Sequence, residues 1–204
     1  MSSTTAPRLA PVPREQWGDG EADALRRGFG AEGAARLTAS GPDAMPVPNV
    51  VGTLMHHPAL AGPFLAYNNM LLTKPALDAR LRELMVLRVA WRARSRYEFV
   101  QHARLAARLG VTPDEIAAIA DPATGQWSQL ERALLAAADQ LVDRYCVDDD
   151  TWRGLAEYLD EQQLVELVFV AGTYVGLAMA FNSFGLQIDP DLRELDQSLP
   201  AFEE

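Results

Sequence analysis

From about Glu161 to Gly185 the chain is apolar on most helical faces, through Leu164, Leu167, Val168, Val170, Val175, Leu177, Met179 and Phe181. A helix of that kind has to be covered nearly all round, which one small domain rarely achieves, so the pattern predicts a helical bundle with a subunit interface. Shorter segments repeat the helical period. Leu60, Phe64, Tyr67 and Leu71 mark a helix over 59–72, and Leu77, Leu81, Leu84, Val86 and Leu87 give 77–92 the broad apolar surface of a central helix. Further helices are predicted near 21–29, over 95–109 ending at Gly110, over 112–120 behind a Thr-Pro-Asp-Glu start, over 128–145, and briefly after Thr151. No segment sustains the period-two alternation of a strand. The fold class read from these patterns is all-α, a single-domain helical bundle that is homo-oligomeric.

With 204 residues and 49% hydrophobic content, the chain is long enough for one substantial core. Residues 1–20, rich in Pro, Ser and Thr, read as a flexible arm or one draped over a neighbour. Residues 21–189 read as the all-α domain and 190–204 as an acidic, partly ordered tail. A net charge of −10 without a basic, aromatic-interleaved cluster argues against nucleic acid as a partner. No run of 18 uninterrupted apolar residues and no signal-peptide start are found, so the expectation is no membrane partner and a cytoplasmic location. Cys146 is the only cysteine and lies in an acidic setting, which excludes an intramolecular disulfide and a two-thiol cycle within one chain. His56-His57 lacks a second ligand cluster at metal spacing. Neither a metal nor a cofactor is expected.

The chemistry-bearing run is Ser95-Arg96-Tyr97-Glu98-Phe99-Val100-Gln101-His102. Positions i and i+4 share a helix face, so Glu98 and His102 are placed to handle a substrate proton together. A second reading is local: Ser-x-x-Glu is also the capping box of a helix start, and it accounts for Ser95 and Glu98 without any catalysis. Glu83 precedes Leu84-Met85-Val86-Leu87, where a carboxylate facing the core needs a partner. At a surface it would pair with Arg80, Arg82 or Arg88. Tyr174 and Asn182 lie eight residues apart on one face of the apolar helix, as lining for a cavity near His102 or as packing hydrogen bonds.

These segments together resemble the carboxymuconolactone decarboxylase and alkylhydroperoxidase D-like family: Asn49 to Pro58, Arg82 to Ala90, Tyr97 to His102, and Gly172-Thr173-Tyr174 through Gly185. The resemblance implies an all-α homo-oligomer (dimer, trimer or hexamer) with its site beside a subunit interface. In that family an upstream Glu is followed by Cys-x-x-Cys-x-x-x-His. The residues matching the motif make Glu83 the relay acid and His102 the relay base, with Tyr97 between the former thiol positions. Ser95 and Glu98 stand where the cysteines would be, so the fold is implied and the thiol chemistry is not.

The expected function is a cofactor-independent decarboxylase, lyase or isomerase acting on a small carboxylated or lactone-like metabolite. Glu83, Glu98 and His102 are its catalytic candidates, and Ser95, Tyr97, Tyr174 and Asn182 its substrate-binding candidates. The alternatives are a thiol-dependent peroxidase relying on Cys146, and a non-catalytic oligomeric scaffold that binds a small molecule.

Overall fold

A computed structural model describes residues 6–41 and 44–202, so residues 1–5 of the expected arm, 42–43 of the first long loop and 203–204 of the tail lie outside it. Ten α-helices and no strand occur among the described residues. They pack as two compact units.

The first unit comprises the described residues up to Lys74 together with Ser183–Asp189. Its helices are α1 (Asp19–Thr38), α2 (Asn49–Leu54) and α3 (Pro58–Thr73). Helix α1 runs well past the 21–29 expected from the sequence. Gly30 does interrupt it, at φ 74°, but the Ala-rich run beyond resumes the helix after the kink. Helices α1 and α3 cross at glycines: a Cβ on Gly28 would lie 2.5 Å from Leu65 Cβ. Ala24, Leu25, Leu37, Val51, Met55 and Leu65 close the core. The segment before α1 lies against this unit through Val12 N–H to Gly52 O (3.0 Å) and Arg8 N–H to Phe184 O (2.8 Å). His56 Nε2 meets Ala10 O at 2.8 Å, and His57 caps α3 by accepting from the Leu60 amide, so both histidines have local roles.

The second unit, Pro75–Asn182 and the residues from Pro190 on, carries the remaining helices. They are α4 (Ala79–Arg92), α5 (Arg96–Arg108), α6 (Pro113–Ala118), α7 (Gln129–Arg144), α8 (Asp149–Ala156), α9 (Glu161–Phe184), whose last two residues belong to the first unit, and α10 (Arg193–Ser198). Asp78 starts α4 by accepting from the amides of Arg80 and Leu81. From Arg82 to Ala90 every residue of α4 is buried, packed between α5 and α7. Each fully buried Leu or Val there contributes about 1.5–3 kcal/mol. A central helix this enclosed leaves no wet side for its charges, which is why Arg82, Glu83 and Arg88 must find partners inside.

Within the single chain, helix α9 is covered on one side only. Leu164, Leu167, Ala171, Tyr174, Ala178 and Phe181 form a buried seam at alternating three- and four-residue spacing. A second seam, Val165, Phe169, Gly172, Gly176 and Met179, is exposed. At 24 residues α9 is long and apolar enough to cross a membrane by length and composition, which the absence of an uninterrupted apolar run had not suggested. From its buried seam, Tyr174 and Phe181 pack on His102 and Tyr97 of this unit.

The chain end straps the start of α5. Arg96 pairs with Asp196 (2.5 Å) and donates to the carbonyls of Asp196 and Pro200, while Phe202 packs on Trp91 at 4.7 Å between ring centroids.

Candidate active site

Three elements of the second unit build the site: α4 supplies Arg82 and Glu83, α5 supplies Glu98 and His102 with Ser95 at its N-cap, and α9 supplies Tyr174. The turn joining α4 to α5 is tight. Arg94 adopts φ 52°, a left-handed conformation costing a non-glycine residue roughly 1–2 kcal/mol, and Ser95 N–H reaches back to Ala90 O at 2.8 Å. Asn182 Nδ2 donates to Ala93 O at 2.9 Å, so this expected substrate-binding residue holds the turn.

His102 Nδ1 lies 2.6 Å from Glu83 Oε2. Arg82 donates from Nε and Nη2 to the other oxygen, Glu83 Oε1, at 3.1 and 2.9 Å. Glu83 is wholly buried, not the exposed surface partner that one reading of the sequence allowed. Burial pushes its carboxyl up, but the His102 ring and the Arg82 guanidinium outweigh that and hold it below the usual glutamate range. An ionised carboxylate at this position accepts from Nδ1–H and leaves the Nε2 lone pair as the ring's free basic site. The Tyr174 ring stands edge-on to the imidazole at 4.8 Å and fixes its plane.

Glu98 does not join this chain of bonds. The spacing rule placed it beside His102, yet the carboxylate that His102 engages comes from the neighbouring helix. Glu98 is 1% exposed, and both of its oxygens, like Ser95 Oγ, are buried with no hydrogen-bond partner among the described residues. Its carboxyl is pushed well above the ordinary glutamate range by burial. The capping-box reading therefore fails, since neither side-chain bond of the box forms at Ser95. Thr112–Glu115 and Ser128–Glu131, the same pattern at wetter positions, do form both bonds.

Tyr97 is a core residue: its hydroxyl accepts from Gln101 Nε2 at 3.0 Å and its ring meets Phe181 edge-on at 5.3 Å. Arg82 is the member that sequence reasoning treated only as a surface alternative. The signal was its place inside the run from Leu81 to Ala90, where a charge has to be neutralised internally. Arg80 and Arg88, weighed alongside it, turn elsewhere, to Glu115 and Glu131 and to Asp139. Cys146 is exposed in the turn after α7.

Comparison with known proteins supplies the family context. The model of the carboxymuconolactone decarboxylase family matches residues 58–140, a span that contains Glu83, Ser95, Glu98 and His102. No curated protein matches. Among solved structures, a peroxidase-related protein from Ralstonia eutropha JMP134 with an alkylhydroperoxidase AhpD core superposes with a TM-score of 0.74 at 18% identity, over 96% of this chain and 100% of that one. A peroxidase-related protein from Silicibacter sp. TM1040 gives 0.73 at 14% identity, over 94% and 97%. The apo form of the debrominase Bmp8 also gives 0.73, at 18% identity over 94% and 97%. At these identities the likeness is one of fold.

Proposed function

We propose that the chain, whose residues 58–140 match the model of the carboxymuconolactone decarboxylase family, is a cofactor-independent acid/base enzyme with His102 as general base and Glu98 as general acid. One observation carries this reading: two buried glutamates on the helices around one imidazole are displaced in opposite directions, Glu83 below the usual glutamate range through His102 and Arg82 and Glu98 well above it through burial. Divergent carboxyl environments of that kind separate acid and base roles within one site. Glu83, itself held by Arg82, orients the ring and stabilises the imidazolium that forms when Nε2 takes a proton. Glu98, one turn back on the same face of α5, delivers a proton about 6 Å away, across the width of a small molecule.

The reaction class is decarboxylation, another lyase step or an isomerisation of a small metabolite. Burial of Glu98 weighs against a scaffold that keeps the motif only as a helix cap. The debrominase Bmp8 is a catalyst with this fold, which supports an enzymatic role. Self-association through the exposed seam of α9, and the cytoplasmic setting expected from the sequence, belong to the same proposal.

The test is proton exchange and CO2 release followed by NMR across small lactones and keto acids in D2O. His102→Ala and Glu98→Gln are each expected to lower turnover at least 100-fold with helical content and assembly unchanged. Full activity in both variants would refute the assignment.

A further inference from the structure

The charges around His102 bear on what it can bind. Arg82 and Glu83 form one buried ion pair, and the guanidinium directs two N–H groups at Glu83 Oε1, so this cation is already committed to the carboxylate that orients His102. Along the same face of α5 follow Glu98 and Ser95, 1% and 0% exposed, with Oε1, Oε2 and Oγ lacking any hydrogen-bond partner among the described residues. Three buried polar atoms left open within one helical turn form a polar set that awaits a complement. An anion placed there would lose its hydration against a second carboxyl group. A carbonyl oxygen, carrying lone pairs and no net charge, accepts from a hydroxyl and a carboxylic acid at once.

Resting on the acid/base reading above, we infer that the substrate is an uncharged, enolisable carbonyl compound, such as a lactone, ketone or ester, whose carbonyl oxygen sits between Ser95 Oγ and Glu98 and whose α-carbon faces His102. This selects the lactone-like side of the sequence expectation over the carboxylated one. In the reaction, Nε2 takes the proton from the α-carbon. The C–H electron pair becomes the carbon–carbon π bond of an enol, and the carbonyl π pair moves onto oxygen, which takes the Glu98 proton. The imidazolium then returns its proton to the same carbon or to one conjugated with it, and the enol gives its own back to Glu98. The net change is exchange or isomerisation, and no co-reactant is consumed.

Phenol, an uncharged enol mimic, and benzoate, an anion of similar size, test the assignment on the full-length protein labelled with 13C at glutamate carboxyls and 15N in imidazoles. The Glu98 signal is identified by its loss in Glu98→Gln. Phenol is expected to shift both the His102 and Glu98 signals and to bind at least tenfold more tightly than benzoate. Benzoate binding as tightly as phenol or better, or neither probe moving these signals, overturns the uncharged-substrate assignment. The underlying acid/base reading fails by a different result, a Glu98 carboxyl that titrates in the ordinary glutamate range without ligand.

Discussion

Glu83 and Glu98 are the same residue type, both shut away from water, and they should respond to pH in opposite senses. The folded state binds the Glu98 proton more tightly than the unfolded chain does. Stability from this residue is therefore complete below the ordinary glutamate range and falls as pH rises through it toward the displaced folded value, by up to about 1.4 kcal/mol per pH unit. Glu83 has the reverse sign: its contribution is present above the ordinary range and is lost as pH falls through its lowered folded value. Urea denaturation between pH 4 and 8 should show the Glu98 slope vanish in Glu98→Gln, with the variant gaining on the parent toward the alkaline side. Glu83→Ala leaves Arg82 buried without its carboxylate and should cost about 3–5 kcal/mol in the same measurement.

At the scale of the helix, one pattern read in three places shows what local sequence can and cannot tell. Thr112–Glu115, Ser128–Glu131 and Ser95–Glu98 all have the spacing of a capping box, and only the first two close it. A box needs two side chains free to bend back over the helix end; at α5 that end is enclosed, and the carboxyl is directed inward instead. Ser128→Ala should therefore cost about 1 kcal/mol in thermal or chemical unfolding, while Ser95→Ala should change stability by less than about 0.5 kcal/mol. The helices themselves were legible, because apolar periodicity and breakers such as Lys74-Pro75 and Gly110 act locally. Helix α1 runs past the expected 21–29 through a kink at Gly30, and the short helices α2 and α10 lie outside the helices expected from the pattern. The site was half legible: His102 and Glu83 follow from residue type and setting, but their bond joins residues 19 apart in the chain on two packed helices. No spacing rule encodes which neighbouring carboxylate an imidazole will face. Asn182 shows the same limit, since its partner is a turn carbonyl 89 residues away.

For the molecule as a whole, α9 presents two apolar seams and buries only one. Val165, Phe169 and Met179 stand 58%, 59% and 61% exposed around Gly172 and Gly176, where added Cβ atoms would meet nothing within 4 Å. Small residues flanked by large ones allow a second helix to approach closely. Phe169→Glu combined with Met179→Glu should shift the protein to its monomer mass in light scattering without loss of helicity; an unchanged mass would remove α9 from any assembly contact. The aromatic anchor at the other end of the chain has a practical corollary. Since Arg96 grips the backbone around Asp196 and Pro200 and Phe202 roofs Trp91, strain introduced just after Phe202 is expected to reach the first turn of the helix that bears Glu98. Shortening the chain to Ser198 should loosen Glu98 from a distance, visible as faster amide exchange at Tyr97–Val100.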